Sequence, residues 1–338
     1  MGFSFSGMIS NKVGIDLGTA NTLVYVKGYG VVADEPSIVA IDRTTGEQWF
    51  GQEAKEMHGR TPGEMATIRP MRHGAIADLG ITEVMLAYFM RKAPKRGLFY
   101  HPDVVIAVPS GITEVERRAV RDAALRAKAR AVHLIAEPMA AAIGVGLPIH
   151  APRGSMIIDV GGGTSEIAVI ALSGIVCKSS VRVGGDEMDN DIVQYLKKNY
   201  NLFVGERTAE QIKIELGSAW PLEEELEATV KGMDLVSAIP KTTTISSEEI
   251  REALSDSINA IIDAVRQSLE KTPPELASDI LDRGIILSGG GALLRGLDHR
   301  LREEINLPIH LVDDPLRCVV NGTGKVLENL DLYSKVLF

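Results

Sequence analysis

Two segments of this chain repeat the same order of chemistry, and that repeat limits the folds the chain can adopt. Each segment is an apolar run ending in aspartate, a glycine turn with hydroxyl residues, and a second apolar run; the segments are 13–26 and 157–170. Their aspartates, Asp16 and Asp159, lie far enough apart in the chain for each to open its own lobe. The repeat therefore predicts two pseudo-symmetric lobes that face a cleft.

A simpler explanation exists for either segment alone. A hairpin that turns on Asp-Gly is common and needs no function. It explains both segments together poorly, because a tight hairpin seldom needs three successive glycines such as Gly161 to Gly163.

Both turns have the composition of a phosphate-binding loop. Glycine lacks Cβ, so backbone N–H groups can approach an anion closely. Neither turn contains Lys or Arg, and a hydrated Mg²⁺ held through water by Asp16 and Asp159 would supply the missing positive charge. The predicted nucleotide-binding residues are Asp16, Gly18, Thr19, Ala20 and Asn21 in the first turn, and Gly161, Gly162, Gly163 and Thr164 in the second.

A third glycine run, Gly289-Gly290-Gly291, follows the predicted strand 285–288. Backbone without side chains can lie flat against a purine or a ribose. As a lone feature the run fits a plain strand-to-helix turn at least as well. Together with the two phosphate turns it predicts a surface that binds adenosine.

Glu210 and Lys213 lie three residues apart, on one face of a predicted helix between the second and third glycine runs. Such a pair is most simply a solvated ion pair. The residues alone favour that interpretation over a contact with a ligand.

Glu137 is a candidate for orienting a water molecule that attacks a γ-phosphate. It follows the predicted strand 132–135 and precedes Pro138, which suits the first turn of a helix. At a helix start its charge could equally serve the helix dipole alone. The residues themselves do not decide between these roles.

The run Asn321-Gly-Thr-Gly-Lys325 superficially resembles a P-loop. The pattern requires a glycine where this chain has Val319, so we reject it. We expect these glycines to ease the packing of a closing helix instead.

Composition argues against several other classes. Lys and Arg total 36 against 45 Asp and Glu, a net charge of −9, which disfavours nucleic acid as the main partner. The histidines and the two cysteines lack the spacing of zinc sites, so no zinc is expected. The apolar runs fall short of the ~20 residues of a membrane helix, and the first residues lack a secretory n-region. We expect a cytoplasmic protein.

Apolar runs rich in β-branched residues alternate with helical-period segments, which predicts an α/β fold. Thr113 with Glu116, and Ser246 with Glu249, have capping-box spacing and predict helices over 113–129 and 247–269. Strands are predicted at 13–16, 22–26, 37–41, 104–108, 132–135, 156–159, 167–171 and 285–288.

The glycine motifs resemble those of the actin, Hsp70 and sugar-kinase superfamily. Asp16-Leu-Gly-Thr and Asp159-Val-Gly-Gly-Gly-Thr are similar to its phosphate motifs, and Ser288-Gly-Gly-Gly-Ala to its adenosine motif. Within it the chain resembles the MreB family over nearly its whole length. Further similar stretches are Glu35-Pro-Ser, Gly59-Arg-Thr-Pro-Gly, Ile68-Arg-Pro-Met-Arg, Glu137-Pro-Met-Ala and Gly205-Glu-Arg-Thr-Ala-Glu. Departures at His73, usually Asp, and at Ser288, commonly Thr, leave the paralogue open.

The resemblance implies an actin-like, ribonuclease H-like, two-lobed fold with a nucleotide cleft, ATP and Mg²⁺ as cofactors, and ATP hydrolysis coupled to polymerisation. It implies that Glu137 serves hydrolysis with Thr164 positioning the water, and that Glu210 and Lys213 contact ribose and adenine. We expect lobe I at 1–143, with 30–66 as a small subdomain and 316–338 returning to it, and lobe II at 144–315, with about 184–240 as a small subdomain.

The resemblance also implies partners. Members of the family assemble into paired protofilaments on the inner face of the cell membrane and organise cell-wall synthesis to maintain rod shape. The expected partners are therefore the chain itself, the membrane, and wall-elongation proteins such as RodZ, MreC and MreD.

Membrane contact has a physical basis as well. Phe3 and Phe5 lie in an uncharged apolar N-terminus, and Leu98 and Phe99 follow a basic stretch. Each such anchor is marginal alone, but many add up along a polymer. Leu98 and Phe99 could instead pack on the protein body; the family, whose members insert a loop here, favours the membrane.

A small-molecule kinase or a chaperone-type ATPase on the same fold is the alternative function. A kinase would need a base for a substrate hydroxyl and a specific polar pocket. The sequence identifies neither.

Overall fold

The computed structural model describes residues 12–94 and 101–338, which form two compact units. Unit 1 runs to Leu147 and also contains Arg317–Phe338, whereas unit 2 is Pro148–Leu316. The residues predicted to touch a membrane, Phe3, Phe5, Leu98 and Phe99, lie outside the described residues. Among those described, no helix has both the length and the apolar character to cross a bilayer.

Elements are numbered in chain order, and those of unit 1 come first. Its strands are β1 (Lys12–Leu17), β2 (Asn21–Val26), β3 (Gly30–Pro36), β4 (Val39–Asp42), β5 (Gln48–Phe50), β6 (Met65–Ile68), β7 (Met71–Arg72), β8 (Ala75–Ile76), β9 (Asp103–Val108) and β10 (Ala131–Ala136). Its helices are α1 (Gly51–Met57), α2 (Leu79–Lys92), α3 (Glu114–Arg126), α4 (Glu137–Val145) and, in the returning segment, α11 (Cys318–Glu328).

Unit 2 has a second set of strands and helices. Its strands are β11 (Ser155–Val160), β12 (Ser165–Ala171), β13 (Gly174–Val181), β14 (Leu202–Phe203), β15 (Glu227–Asp234), β16 (Pro240–Ser246), β17 (Ile285–Ser288) and β18 (Ile309–Leu311). Its helices are α5 (Gly185–Tyr200), α6 (Glu206–Leu216), α7 (Ser247–Ala253), α8 (Ser255–Glu270), α9 (Pro274–Arg283) and α10 (Leu297–Ile305).

The main sheets of the two units have the same topology. The strand order is β10-β9-β1-β2-β3 in unit 1 and β18-β17-β11-β12-β13 in unit 2. In each, the hairpin is antiparallel and its first strand pairs in parallel with β9 or β17. The pairing of β2 with β3 shifts register between Val24 and Tyr25, and the pairing of β12 with β13 shifts register between Val169 and Ile170. The repeat predicted for segments 13–26 and 157–170 therefore extends to the whole five-stranded sheets that contain them.

Each unit adds a small sheet and its own core. The small sheets are β5-β4-β6 and β14-β15-β16. In the main sheets, Asp103–Val108 and Ser165–Ala171 are buried at every position. Helices cover these strands, which explains why the sequence shows continuous apolar runs there rather than alternation.

The predicted helix starts are confirmed, but one helix is not. At α3 the Glu116 N–H donates to Thr113 Oγ1 at 3.2 Å, and the Thr113 N–H donates to the Glu116 carboxylate at 2.8 Å. The single helix predicted over 247–269 is wrong, because the chain divides into α7 and α8 at Leu254. Helix α7 packs on α5 and β16 while α8 packs on β12 and β13, and Leu254 between them is fully buried.

Helices α4 and α11 of unit 1 cross in direct backbone contact. A Cβ at Gly144 would lie 1.9 Å from the Cys318 carbonyl oxygen, and one at Gly322 would lie 1.8 Å from the Ala140 carbonyl oxygen. Only glycine permits this approach, so the predicted packing role of the 321–325 glycines is confirmed. The crossing fixes α4, whose first residue is Glu137.

Candidate functional site

The first glycine turn joins β1 to β2 and is held by its own unit. Ser37 Oγ donates to the Gly18 carbonyl at 2.7 Å. The Thr19 hydroxyl oxygen accepts from the Gly74 N–H at 3.1 Å, and a hydroxyl that accepts one hydrogen bond can still donate another. A Cβ at Gly18 would lie 2.5 Å from the Asn21 carbonyl oxygen, so the turn requires glycine there.

Asp16, Ala20 and Asn21 complete this turn. Asp16 is half-buried and lies in register with Ala107 of β9. Ala20 is exposed, and Asn21 donates one amide hydrogen to Asp34 Oδ1 at 3.0 Å. The second amide hydrogen of Asn21 can serve another acceptor.

The second glycine turn joins β11 to β12 and carries the start of α5. The Gly161 N–H donates to the Thr164 carbonyl at 2.8 Å and closes the turn. The N–H groups of Gly185 and Asp186, the first residues of α5, donate to the carbonyls of Gly161 and Gly162 at 3.0 and 2.8 Å. Helix α5 therefore fixes the position of this turn.

Asp159 ends β11 in an environment that disfavours its charge. Its side chain is buried, and it lies in register with Ser288 of β17, whose Oγ donates to Asp159 Oδ1 at 2.7 Å. Burial, with the nearby Glu166 charge, raises the pKa of Asp159 to about 6 although the Ser288 hydrogen bond opposes the shift. A carboxylate in such surroundings gains from a nearby cation.

The third glycine run is shaped by its contact with β11. Gly289 has φ +86°, and a Cβ there would lie 2.3 Å from the Val160 carbonyl oxygen. A Cβ at Gly291 would lie 2.3 Å from Val160 Cγ1, whereas Gly290 meets only the Leu316 side chain, at 3.0 Å. The 3-10 turn at 290–293 thus packs against the end of β11, one residue beyond Asp159. Packing accounts for two of the glycines, and their role towards adenosine stays a prediction.

Glu210 and Lys213 both lie on α6, but the ion pair of Lys213 is with another helix. Its ammonium lies 2.8 Å from Asp189 Oδ1 on α5 and donates to the Gly185 carbonyl at 2.7 Å. Burial raises the pKa of Asp189 to about 6 although Lys213 opposes the shift, and the charges of Glu210 and Asp186 add to it. No motif in the sequence marks Asp189, which is a carboxylate in the second turn of a helix that begins Gly184-Gly185.

Glu137 lies where predicted, at the start of a helix that follows a strand. It is 9% exposed, and Pro138 occupies the first turn of α4. Thr164 is also buried and belongs to unit 2. Their joint role in hydrolysis stays a prediction.

The described residues contain no group of three or more Asp, Glu, His or Cys side chains that could hold a metal ion. Mg²⁺ is commonly bound by one or two carboxylates with water and substrate phosphates. Asp159, buried and with a neutral hydroxyl as its hydrogen-bond donor, fits one such carboxylate. Any Mg²⁺ here would complete its shell with phosphate and water oxygens.

Known proteins of similar sequence match the chain over almost its full length. The family model described as MreB/Mbl protein matches residues 10–335. The cell shape-determining protein MreB of Escherichia coli K12 is 52% identical over 340 residues, covering 99% of this chain and 98% of that protein. The cell shape-determining protein Mbl of Bacillus subtilis is 47% identical, covering 97% and 99%.

Solved structures show the same fold. MreB 5 of Spiroplasma citri bound to AMPPNP superposes with a TM-score of 0.91 at 38% identity and covers 97% of this chain and 98% of its own. The same protein is also known bound to ADP. A MamK double helical filament gives a TM-score of 0.82 at 20% identity, covering 95% and 99%, which is a likeness of fold alone. The predicted actin-like fold is confirmed.

The charge on Asp159 should make stability depend on pH in the metal-free protein. Because its folded pKa is raised, its destabilising effect is complete above about pH 6 and is relieved as pH falls towards the ordinary value of 3.8. Asp159→Asn removes the charge and keeps an acceptor for Ser288.

The variant should therefore gain on wild type as pH rises. From about pH 5 to about pH 7.5, its free energy of unfolding relative to wild type should increase by about 1 kcal/mol. Urea unfolding with a chelator present measures this. If the free energies of unfolding of the two proteins changed in parallel with pH, the folded state would not destabilise the charged form of Asp159.

Proposed function

The chain belongs to the MreB/Mbl family, and we propose that it is an actin-like ATPase that assembles into filaments and determines cell shape. The observation that carries the proposal is the pair of aspartate-glycine turns at equivalent positions of two sheets with one topology. The S. citri protein bound to AMPPNP and ADP supports a nucleotide as the ligand. The names of the E. coli and B. subtilis relatives support the role in cell shape.

In this proposal both turns bind one Mg²⁺–ATP. The backbone N–H groups and hydroxyls of the turns bind the β- and γ-phosphates, and the run 289–291 borders adenosine. Asp16 and Asp159 would hold a Mg²⁺ through water, and such an ion would neutralise charge on the triphosphate. Two glycine turns without Lys or Arg support this division of roles, because they supply donors but no charge.

Glu137 orients the water that attacks the γ-phosphate, and Thr164 helps to position it. Three features support Glu137: it is nearly buried, it starts a helix, and that helix is locked by the glycine contacts with α11. A fixed carboxylate loses little freedom on orienting water, which favours catalysis.

ATP binding then favours assembly. A ligand shared by two units stabilises one arrangement of them, and subunit contacts that suit this arrangement become favourable. The protein in the MamK double helical filament has the same fold, so this fold is compatible with the assembly into paired protofilaments that we propose. Hydrolysis weakens those contacts.

The filaments lie on the inner face of the cell membrane in this proposal. Phe3, Phe5, Leu98 and Phe99 provide weak apolar anchors that gain strength through polymer avidity. Wall-elongation proteins such as RodZ, MreC and MreD are the proposed partners there.

Replacing Glu137 tests the catalytic assignment. Glu137→Gln keeps the size and loses the charge, so phosphate release from ATP should slow by about 10²-fold while the Kd for Mg²⁺–ATP stays near wild type. A release assay without added acceptor, beside a fluorescent-nucleotide titration, measures both. Turnover at the wild-type rate would remove Glu137 from the mechanism, and turnover that requires an added acceptor would favour a kinase.

Sedimentation tests assembly and membrane contact together. With ATP and Mg²⁺ the protein should pellet, and with a chelator it should stay in the supernatant. Anionic vesicles should increase the pelleted fraction for wild type, whereas a Leu98→Ser and Phe99→Ser double variant should polymerise and bind the vesicles less. Monomer at every concentration, in solution and on lipid, would contradict the filament proposal.

A further inference from the structure

Helix α6 is joined to the second glycine turn by a continuous chain of polar contacts through α5. The carbonyls of Gly161 and Gly162 accept from the first N–H groups of α5, at 3.0 and 2.8 Å. The carbonyl of Gly185, in that same first turn of α5, accepts from Lys213 Nζ of α6 at 2.7 Å. A single residue, Gly185, therefore links Lys213 to the turn, because its N–H donates to Gly161 and its carbonyl accepts from Lys213.

The approach is close at both ends of this connection. A Cβ at Gly184 would lie 2.6 Å from the carbonyl oxygens of both Gly161 and Gly162. A Cβ at Gly185 would lie 3.2 Å from Lys213 Nζ. The two glycines that open α5 therefore let it touch the turn on one side and the lysine on the other.

Asp189 holds the lysine in this place. Its Oδ1 lies 2.8 Å from Lys213 Nζ, and the side chains are only 14% and 17% exposed. An ammonium this far from water needs a charged partner nearby. A backbone carbonyl alone, such as that of Gly185, cannot supply that charge.

Apolar packing keeps the two helices at this distance. Helix α6 buries Ala209, Ile212 and Leu216, and α5 buries Met188 and Ile192 in the same core. Lys213 directly follows Ile212 on α6, and Asp189 directly follows Met188 on α5, so the ion pair lies beside this core. The lysine therefore has little freedom to reach elsewhere while the pair is intact.

We propose that Asp189 is a positioning residue of the nucleotide site: it fixes the Lys213 ammonium on the first turn of α5 and so ties α6 to the second phosphate turn. The inference rests on the proposed function and on the expected contact of Glu210 and Lys213, both on α6, with ribose and adenine. Its consequence is that contacts made by α6 and contacts made by the turn are energetically coupled. Replacing Asp189 should therefore weaken both the contacts made by α6 and those made by the turn.

A double-mutant cycle on Mg²⁺–ATP binding tests the inference. Asp189→Asn and Lys213→Met should each weaken binding by about tenfold or more, since each breaks a largely buried pair. The variant carrying both changes should bind no more weakly than either single variant, because Asp189 acts through Lys213. Asp189→Glu keeps the charge and should recover part of the loss.

Glu304→Gln is the matched control. Glu304 pairs with Arg266 and Arg300 in unit 2, at 2.7 and 3.0 Å, so its loss also removes an ion pair but should leave the Kd unchanged. The double variant buries no unpaired charge, so it keeps the cycle informative if Asp189→Asn folds poorly. Circular dichroism confirms folding of each variant at the assay temperature.

The outcomes separate the inference from the function on which it rests. Wild-type affinity in Asp189→Asn, or fully additive losses in the double variant, would overturn the positioning role while leaving nucleotide binding intact. A decrease of equal size in Glu304→Gln would also overturn it, because the effect would then be general destabilisation. Failure of the wild type to bind Mg²⁺–ATP would overturn the proposed function itself.

Discussion

The main electrostatic constraint in unit 2 is a buried carboxylate, that of Asp159, near the end of the buried strand β11. The neutral hydroxyl of Ser288 donates a hydrogen bond to Asp159, and Glu166 adds a like charge nearby. Such a group is unfavourable unless it is protonated or meets a cation. A bound cation with its anionic ligand, as proposed, would stabilise the charge at this position.

The two units present an aspartate at the same topological position but surround it with different residues. Asp16 and Asp159 occupy the same place in sheets of one strand order, yet the neighbour on the parallel strand is Ala107 for the first and Ser288 for the second. Asp16 is half-buried and Asp159 is buried. The two units thus share the backbone arrangement that presents a carboxylate beside a glycine turn, whereas the surroundings of the two carboxylates differ.

Features that depend on neighbours in the chain could be predicted from the sequence. The capping box at Thr113, the strand at Ile285–Ser288 and the helix that begins at Glu137 all follow from residues within a few positions of one another. The division of α7 from α8 could not be predicted, because it reflects which distant strands each helix packs on.

The same limit applies to the site. Glycine runs identified the turns, but Ser37 beneath Gly18 and Asp189 beside Lys213 join elements that are distant in sequence. For Lys213 the local pairing with Glu210 suggested a partner, and tertiary structure supplied a different one. Glycine at 289 and 291 is explained by contact with Val160, a strand that no local pattern links to that run.

The central claim is that both aspartate-glycine turns bind a single Mg²⁺-triphosphate. A crystal structure with AMPPNP and Mn²⁺ in place of Mg²⁺ tests it most directly, because anomalous scattering locates the cation. The account predicts one cation peak on the β- and γ-phosphates, about 4 Å from the carboxylates of both Asp16 and Asp159, as water-mediated coordination requires. A cation or triphosphate held by one turn while the other makes no contact with it would contradict the account.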